Sequence, residues 1–206
     1  IFVVTVSEEY GKEILKEVIL AQRDSFNKLD LGVLREKEKA AQITDSFALL
    51  ITGIRRCGKS TILRQIANRT KKKCVYINFD DYRFLQYLNI SLLEEVLKEF
   101  PNYDYYFFDE IQKIKGFESW LRTHYDIQSH KKFIISGSNI SLFAPSLATV
   151  LTGRNITFEI FPFSYSEILW KKLATFQEYL LYGGFPEVVL EKDVENFQKE
   201  LLKSEN

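Results

Sequence analysis

The stretch Gly53-Ile54-Arg55-Arg56-Cys57-Gly58-Lys59-Ser60-Thr61 limits what this chain can become more than any other. Two glycines separated by four residues and followed by Lys59-Ser60 fit G-x-x-x-x-G-K-[ST]. The apolar run 47–51 before them and the periodic segment 62–68 after them supply the strand-loop-helix setting the motif requires. Glycine lets the backbone curl so that successive N–H groups face one anion, and a helix that starts there adds its positive end. All nine residues are therefore candidate contacts for the phosphates of a nucleotide. Lys59 is expected to reach the β- and γ-phosphates, and the Ser60 hydroxyl to ligate Mg²⁺. A chance match somewhere in a chain of this length has a probability of about 1%.

The remaining pattern alternates strands and helices. Residues 1–6 read as a short β-like run, and Ser7-Glu8-Glu9 as the cap of a helix with apolar positions Ile14, Leu15, Val18 and Ile19. Residues 33–42 suggest a second helix whose mixed charges, Arg35-Glu36-Lys37-Glu38-Lys39, form a solvated face. Beyond the loop, strands are expected at 74–79, 105–108, 133–135 and 156–160, with helices between them. One of these helices should be opened by a capping box at Ser91-Leu92-Leu93-Glu94, and another should run from Phe117 to about Ile127. Tyr105-Tyr106-Phe107-Phe108 has the composition of a strand buried on both faces. Such alternation implies a parallel sheet with helices on both sides. After Pro162 the pattern turns helical, broken at Gly183-Gly184-Phe185-Pro186. The expected division is a flank over 1–45, a core over 46–162 and a helical segment over 163–206.

Composition narrows the partners. The 206 residues carry 28 basic and 28 acidic side chains, so no global field draws the chain to nucleic acid or an anionic membrane. Cys57 and Cys74 lack metal-ligand spacing, and His124 and His130 do not complete a zinc set. With no signal peptide and no bilayer-spanning apolar run, the expectation is a cytoplasmic protein without a membrane partner. The chain has no Met and begins in mid-run at Ile1, so a longer parent protein is expected.

Ligands of open parallel sheets bind beyond the carboxyl ends of the strands. Four polar groups fall at such ends: the loop, Asp80-Asp81, Asp109-Glu110 and Ser138-Asn139. Asp109, after four aromatic residues, has the place of an acid that holds Mg²⁺ through water, and Glu110 that of the group that polarises attacking water. Arg55 and Arg56 either touch phosphates or point to water, and Cys57 beside a helix N-terminus has a setting that can lower a thiol pKa. Asp80, Asp81 and Arg83 either line the nucleotide mouth or merely end a strand, and Gln22 and Arg23 stand open as flanks of the base.

Together G-I-R-R-C-G-K-S-T, Y-Y-F-F-D-E-I-Q, F-I-I-S-G-S-N and L-T-G-R resemble the AAA+ ATPases, more narrowly a prokaryotic, largely archaeal branch with G-x-R-R-x-G-K-[ST]. The resemblance spans residues 46–190. It implies a three-layer α-β-α P-loop NTPase with a five-stranded, mainly parallel sheet of the additional-strand type, followed by a helical lid. The strand bearing Asp109 should be separated from the loop strand by the one ending at Asn139. Asn139, or else Ser138, takes the sensor-1 role at the γ-phosphate. Arg154 stands where such proteins carry an arginine finger acting on a neighbouring subunit, or is a plain surface arginine.

This resemblance implies ATP/ADP and Mg²⁺ as cofactors, and hydrolysis of ATP to ADP and phosphate to move an attached domain or partner. Homo-oligomers through Arg154, and protein or DNA partners through a further C-terminal domain, are expected in the same way. The segment after Gly183 offers no sensor-2 arginine, which favours the alternative of a nucleotide-gated protein- or DNA-binding switch with little hydrolysis. A small-molecule kinase fits less well, because Glu110 beside Asp109 is an arrangement for activating water.

Overall fold

Apolar runs that end in small or acidic residues pair here as the strands of one sheet. The computed structural model describes residues 2–35, 41–45, 47–127, 130–138 and 155–191. Its strands are β1 (Ala48–Gly53), β2 (Cys74–Asn78), β3 (Tyr105–Asp109), β4 (Lys132–Ser138) and β5 (Asn155–Glu159). They lie in the order β2-β3-β4-β1-β5, and every pairing is parallel. Helices α1 (Phe2–Lys28), α2 (Lys59–Thr70), α3 (Ile90–Glu99) and α4 (Phe117–Asp126) accompany the sheet, and α5 (Tyr165–Lys171), α6 (Phe176–Tyr182) and α7 (Pro186–Glu191) follow it.

The period-2 alternation of strand side chains divides the core. Leu50, Val75, Ile77, Tyr106, Phe108, Phe133 and Ile135 face one layer with α3 and α4, while Leu49, Ile51, Tyr76, Phe107 and Ile134 face the other with α2. Each such Leu, Ile or Phe, taken fully out of water, contributes about 1.5–3 kcal/mol. This is the three-layer α/β architecture expected, with β4 inserted between the loop strand and the Asp109 strand.

Three local expectations are corrected. The β-branched run at 2–6 is not a strand but the first turns of α1, so Ser7 lies inside the helix instead of capping it. Farther along α1, Leu15, Val18, Ile19, Gln22 and Phe26 pack the helix against the sheet at its β2 edge. There the Gln22 amide pairs with both backbone groups of Asn78, taking its N–H at 2.8 Å and donating to its C=O at 3.2 Å. An edge that would otherwise expose unpaired groups is thereby closed.

At 33–35 and 41–42 the chain is not helical. Side chains of α2 take backbone carbonyls at the start of this stretch and just before it: Gln65 donates to Leu31 and Val33, and Arg64 to Asp30. Gly32 turns the chain with φ +63. Arg35, expected on a solvated face, is buried and forks onto the Glu167 carboxylate at 2.8 and 2.9 Å.

The cap of α3 is Asn89, whose side chain accepts from Ser91 N–H, and not Ser91 itself. Glu94 instead accepts from the Trp120 indole at 2.6 Å. Capping boxes do occur at Ser164 with Glu167 and at Thr175 with Glu178, opening α5 and α6.

Candidate nucleotide site

β1 delivers the loop and β3 delivers the carboxylates, at the same end of the sheet and with only β4 between them. The loop's shape depends on left-handed backbone at Gly53 (φ +144), Arg56 (φ +66) and Gly58 (φ +98). At Gly53 a Cβ would come within 2.1 Å of the Ile160 carbonyl oxygen, so glycine is required by space as well as by φ. Gly58 caps α2 without a side chain, leaving the first turn of the helix open toward the loop.

Lys59 is 5% exposed, and its ammonium donates to the carbonyls of Gly53 and Ile54, each at 3.1 Å. The cation thus sits over the loop, held by neutral acceptors that phosphate oxygens can replace. Ser60 is exposed on the wall of a cavity of about 310 Å³ between α1, α2 and the end of β2, with Gln22, Ser25, Arg64, Tyr76 and Asp81 on other walls. A larger cavity of about 420 Å³ lies between 33–35 and α5, yet no loop residue lines it, so the chemistry belongs to the loop end of the sheet.

The other loop side chains point outward or sideways. Ile54 is exposed, Arg55 lies 3.7 Å from Asp80 on the surface, and Arg56 meets Glu187 of α7 at 2.9 Å. Thr61 accepts from Arg64 at 3.4 Å. Cys57 is fully buried, and burial pushes its thiol up against the pull of Lys59 and Arg35, outweighing the lowering that a helix N-terminus can bring.

Asp109 is 1% exposed and its two oxygens are separately held: the Tyr76 hydroxyl donates to Oδ2 at 3.0 Å and the Ser136 hydroxyl to Oδ1. Burial and the neighbouring Asp109 carboxylate push the Tyr76 phenol far up, so it stays protonated as a donor. Glu110 follows with φ +55, its N–H directed at Ser136 Oγ and its carboxylate taken by the Gln112 amide. Lys113 reaches Asp80 at 2.8 Å. Asp81 accepts from Arg83 at 2.9 Å and from Gln22 at 2.8 Å. The Arg83 guanidinium, above all, holds its carboxyl well below the usual range. Arg23 pairs with Asp24 at 3.1 Å and donates to the Tyr103 hydroxyl at 3.4 Å.

The structure therefore brings together Gly53, Gly58, Lys59, Ser60, Asp109 and Glu110. Asn139 and Arg154 lie outside the described residues. Sequence reasoning missed Tyr76, Gln112 and Ser136. The signal for Gln112 was its place two residues after Glu110 in the quoted motif, and for Ser136 its place two before Ser138 on the same face of β4.

The donor set fits a Mg-nucleotide. It comprises a buried cation on loop carbonyls, an exposed hydroxyl at the first turn of α2 and a buried carboxylate already fixed by two hydroxyls. A family model described as AAA domain matches residues 45–169, more than half of the chain. The chain belongs to the AAA domain family. Over 98% of this AAA domain chain, an uncharacterised protein of Methanocaldococcus jannaschii is 33% identical, the match covering 49% of that protein. An uncharacterised protein of Haemophilus influenzae is 29% identical over 70% of the chain and 40% of its own length. The chain thus spans half or less of the curated relatives it matches. Among solved structures, the Thermotoga maritima RuvB Holliday junction branch migration motor superposes with a TM-score of 0.50. It is 15% identical, with 89% of this chain and 59% of that one covered. At that identity the likeness is one of fold alone.

Proposed function

We propose that this AAA domain binds Mg-ATP and hydrolyses it to ADP and phosphate, driving a conformational change in an attached domain or partner. The observation that carries the reading is the convergence of buried Lys59 on the loop with buried Asp109 and its neighbour Glu110, one strand apart. In this reading the loop N–H groups and Lys59 hold the β- and γ-phosphates. Ser60 and Asp109 would hold the Mg²⁺. Bound Mg-ATP supplies the phosphoryl group to be transferred to water and a cation to balance its charge. Glu110 receives the proton of the attacking water on a carboxylate oxygen.

Other roles belong to the same proposal. Asn139, or else Ser138, contacts the γ-phosphate, and Arg154 acts on a neighbouring copy. Residues 46–162 form the ATPase core, 1–45 its flank and 163–206 the lid. Protein or DNA partners would be engaged through a further domain, for which the greater length of the relatives leaves room. An ATP-bearing cytoplasm would house it. The Arg56–Glu187 contact supports transmission of loop changes to the lid.

The test is binding of a fluorescent ATP analogue, with phosphate release measured beside it. The parent chain should bind with Mg²⁺ and turn over, and Lys59→Ala should lose binding by about 100-fold or more, since charge-assisted contacts to phosphate are removed. Equal binding by parent and Lys59→Ala would refute the site. Tight binding by the parent without turnover would instead favour the nucleotide-gated switch.

A further inference from the structure

We propose that Gln112 is a positioning residue that holds the Glu110 carboxylate on the phosphate-loop side of the sheet. The inference rests on the hydrolase reading above. The short turn Ile111–Lys113 begins at Glu110, with Lys113 N–H returning to the Glu110 carbonyl at 3.2 Å, and this brings the side chain of Gln112 back beside that of Glu110. One amide nitrogen then serves two acceptors, Glu110 Oε2 and, at 3.1 Å, the hydroxyl of Ser138.

Ser138 fixes the direction of that pull. It is the last residue of β4 and stands in register with Gly53, the first residue of the loop. Ser136, two residues earlier on the same face, takes the Glu110 N–H at 3.4 Å and donates to Asp109. One strand therefore sets both carboxylates, Asp109 directly and Glu110 through Gln112, and draws Glu110 toward β4 and β1 and away from the edge strand β2. The buried Gln112 Oε1 accepts no hydrogen bond among the described residues. In the proposed hydrolysis the attacking water would lie beside Glu110. A glutamate side chain free to rotate would spend most of its time out of reach of such a water. Held by the amide, it starts close to the geometry that proton transfer requires.

The experiment is a double-mutant cycle in steady-state ATP turnover with nucleotide affinity measured separately. Gln112→Ala should lower kcat about 10- to 100-fold, the scale of a small misplacement of a reacting group. KM and nucleotide affinity should stay within about twofold, because uniform binding is untouched. Gln112→Leu, which fills the same space, should behave alike and carries the test if the alanine variant does not fold. In a Glu110→Gln background either change should alter the residual turnover by less than about twofold, because a residue acting through Glu110 has nothing left to position. Parent-like kcat in both Gln112 variants would overturn the proposal. So would an undiminished loss in the Glu110→Gln background, or a loss that falls equally on affinity, each the mark of a merely structural role. Parent-like turnover by Glu110→Gln itself would remove the hydrolase assignment beneath it. Normal loss in Glu110→Gln with no loss in the Gln112 variants removes the Gln112 role alone.

Discussion

The Arg56 guanidinium of the phosphate loop lies 2.9 Å from the Glu187 carboxylate of α7, joining positions 131 residues apart. Arg56 stands in left-handed backbone at φ +66 inside the loop, while Glu187 lies in the first turn of the last described helix. Under the proposed function, this pair would carry a rearrangement of the loop around phosphate to the helices after the sheet. The pair is 27% and 44% exposed, so solvent screens it and its net worth is at most about 1 kcal/mol. Glu187→Gln should leave the sheet unaffected and speed amide hydrogen exchange in α5, α6 and α7 by up to about fivefold, as measured by mass spectrometry.

Arg35 should matter more than its place in a charged run suggests. Its guanidinium and the Glu167 carboxylate are 8% and 15% exposed, and it also donates to the Phe161 carbonyl at 2.7 Å. Removing one partner of a buried pair leaves the other charge uncompensated, at a cost of about 3–5 kcal/mol. Arg35→Gln should therefore lower Tm by about 2–4 °C for each kcal/mol lost, read by calorimetry. Glu167 is the poorer choice for this test, because it also completes the cap of α5.

Acid should expose the same contact. Burial opposes ionisation of Glu167, but the hydrogen bonds from Arg35 and Ser164 outweigh it and hold the carboxyl below its ordinary value. Asp81 is shifted in the same direction, chiefly by Arg83. A depressed folded pKa gives stability that is complete above the unfolded values, about 3.9 for Asp and 4.3 for Glu, and is lost as pH falls through the folded ones. Urea midpoints should be level from pH 7 to about pH 5 and fall below about pH 4. In Arg35→Gln that fall should be shallower.

Gly53→Ala should fail at the loop itself. The new Cβ would meet the Ile160 carbonyl at 2.1 Å and the Cys57 sulfur at 2.9 Å, at a φ of +144 that L-residues rarely adopt. Backbone, not a flexible side-chain tip, is in the way, so β1 or the chain at Ile160 must shift. Loss of nucleotide binding with a Tm at least about 2 °C lower is the expected result, on the scale of a backbone strain of 1 kcal/mol or more.

The sheet and the site were legible to different depths. Strand runs such as Tyr105 to Phe108 end in polar groups, and their alternation with helices announces a parallel sheet. The loop motif then orients it. The β4 insertion between β1 and β3 came from family resemblance and not from any local pattern. Residues 2–6 look like a strand because β-branching is a local signal, whereas the structure continues the helix of α1 through them. Arg35 looks solvated because its partner is far along the chain, beyond the reach of periodicity. Lys59, Ser60, Asp109 and Glu110 could be read because each sits at a fixed offset in a motif. Tyr76 and Ser136 were missed because what recruits them is the registration of β2 and β4 beside β3, which the folded sheet sets, and Gln112 because the turn 111–113 that folds it back onto Glu110 leaves no mark beyond its place in the motif.

The most direct test of the central claim is steady-state phosphate release from ATP by Glu110→Gln beside the parent chain, with nucleotide affinity measured on both. Affinity should stay within about twofold and turnover should fall by at least about 100-fold, the range for loss of a general base. Turnover at the parent rate by Glu110→Gln would contradict that claim.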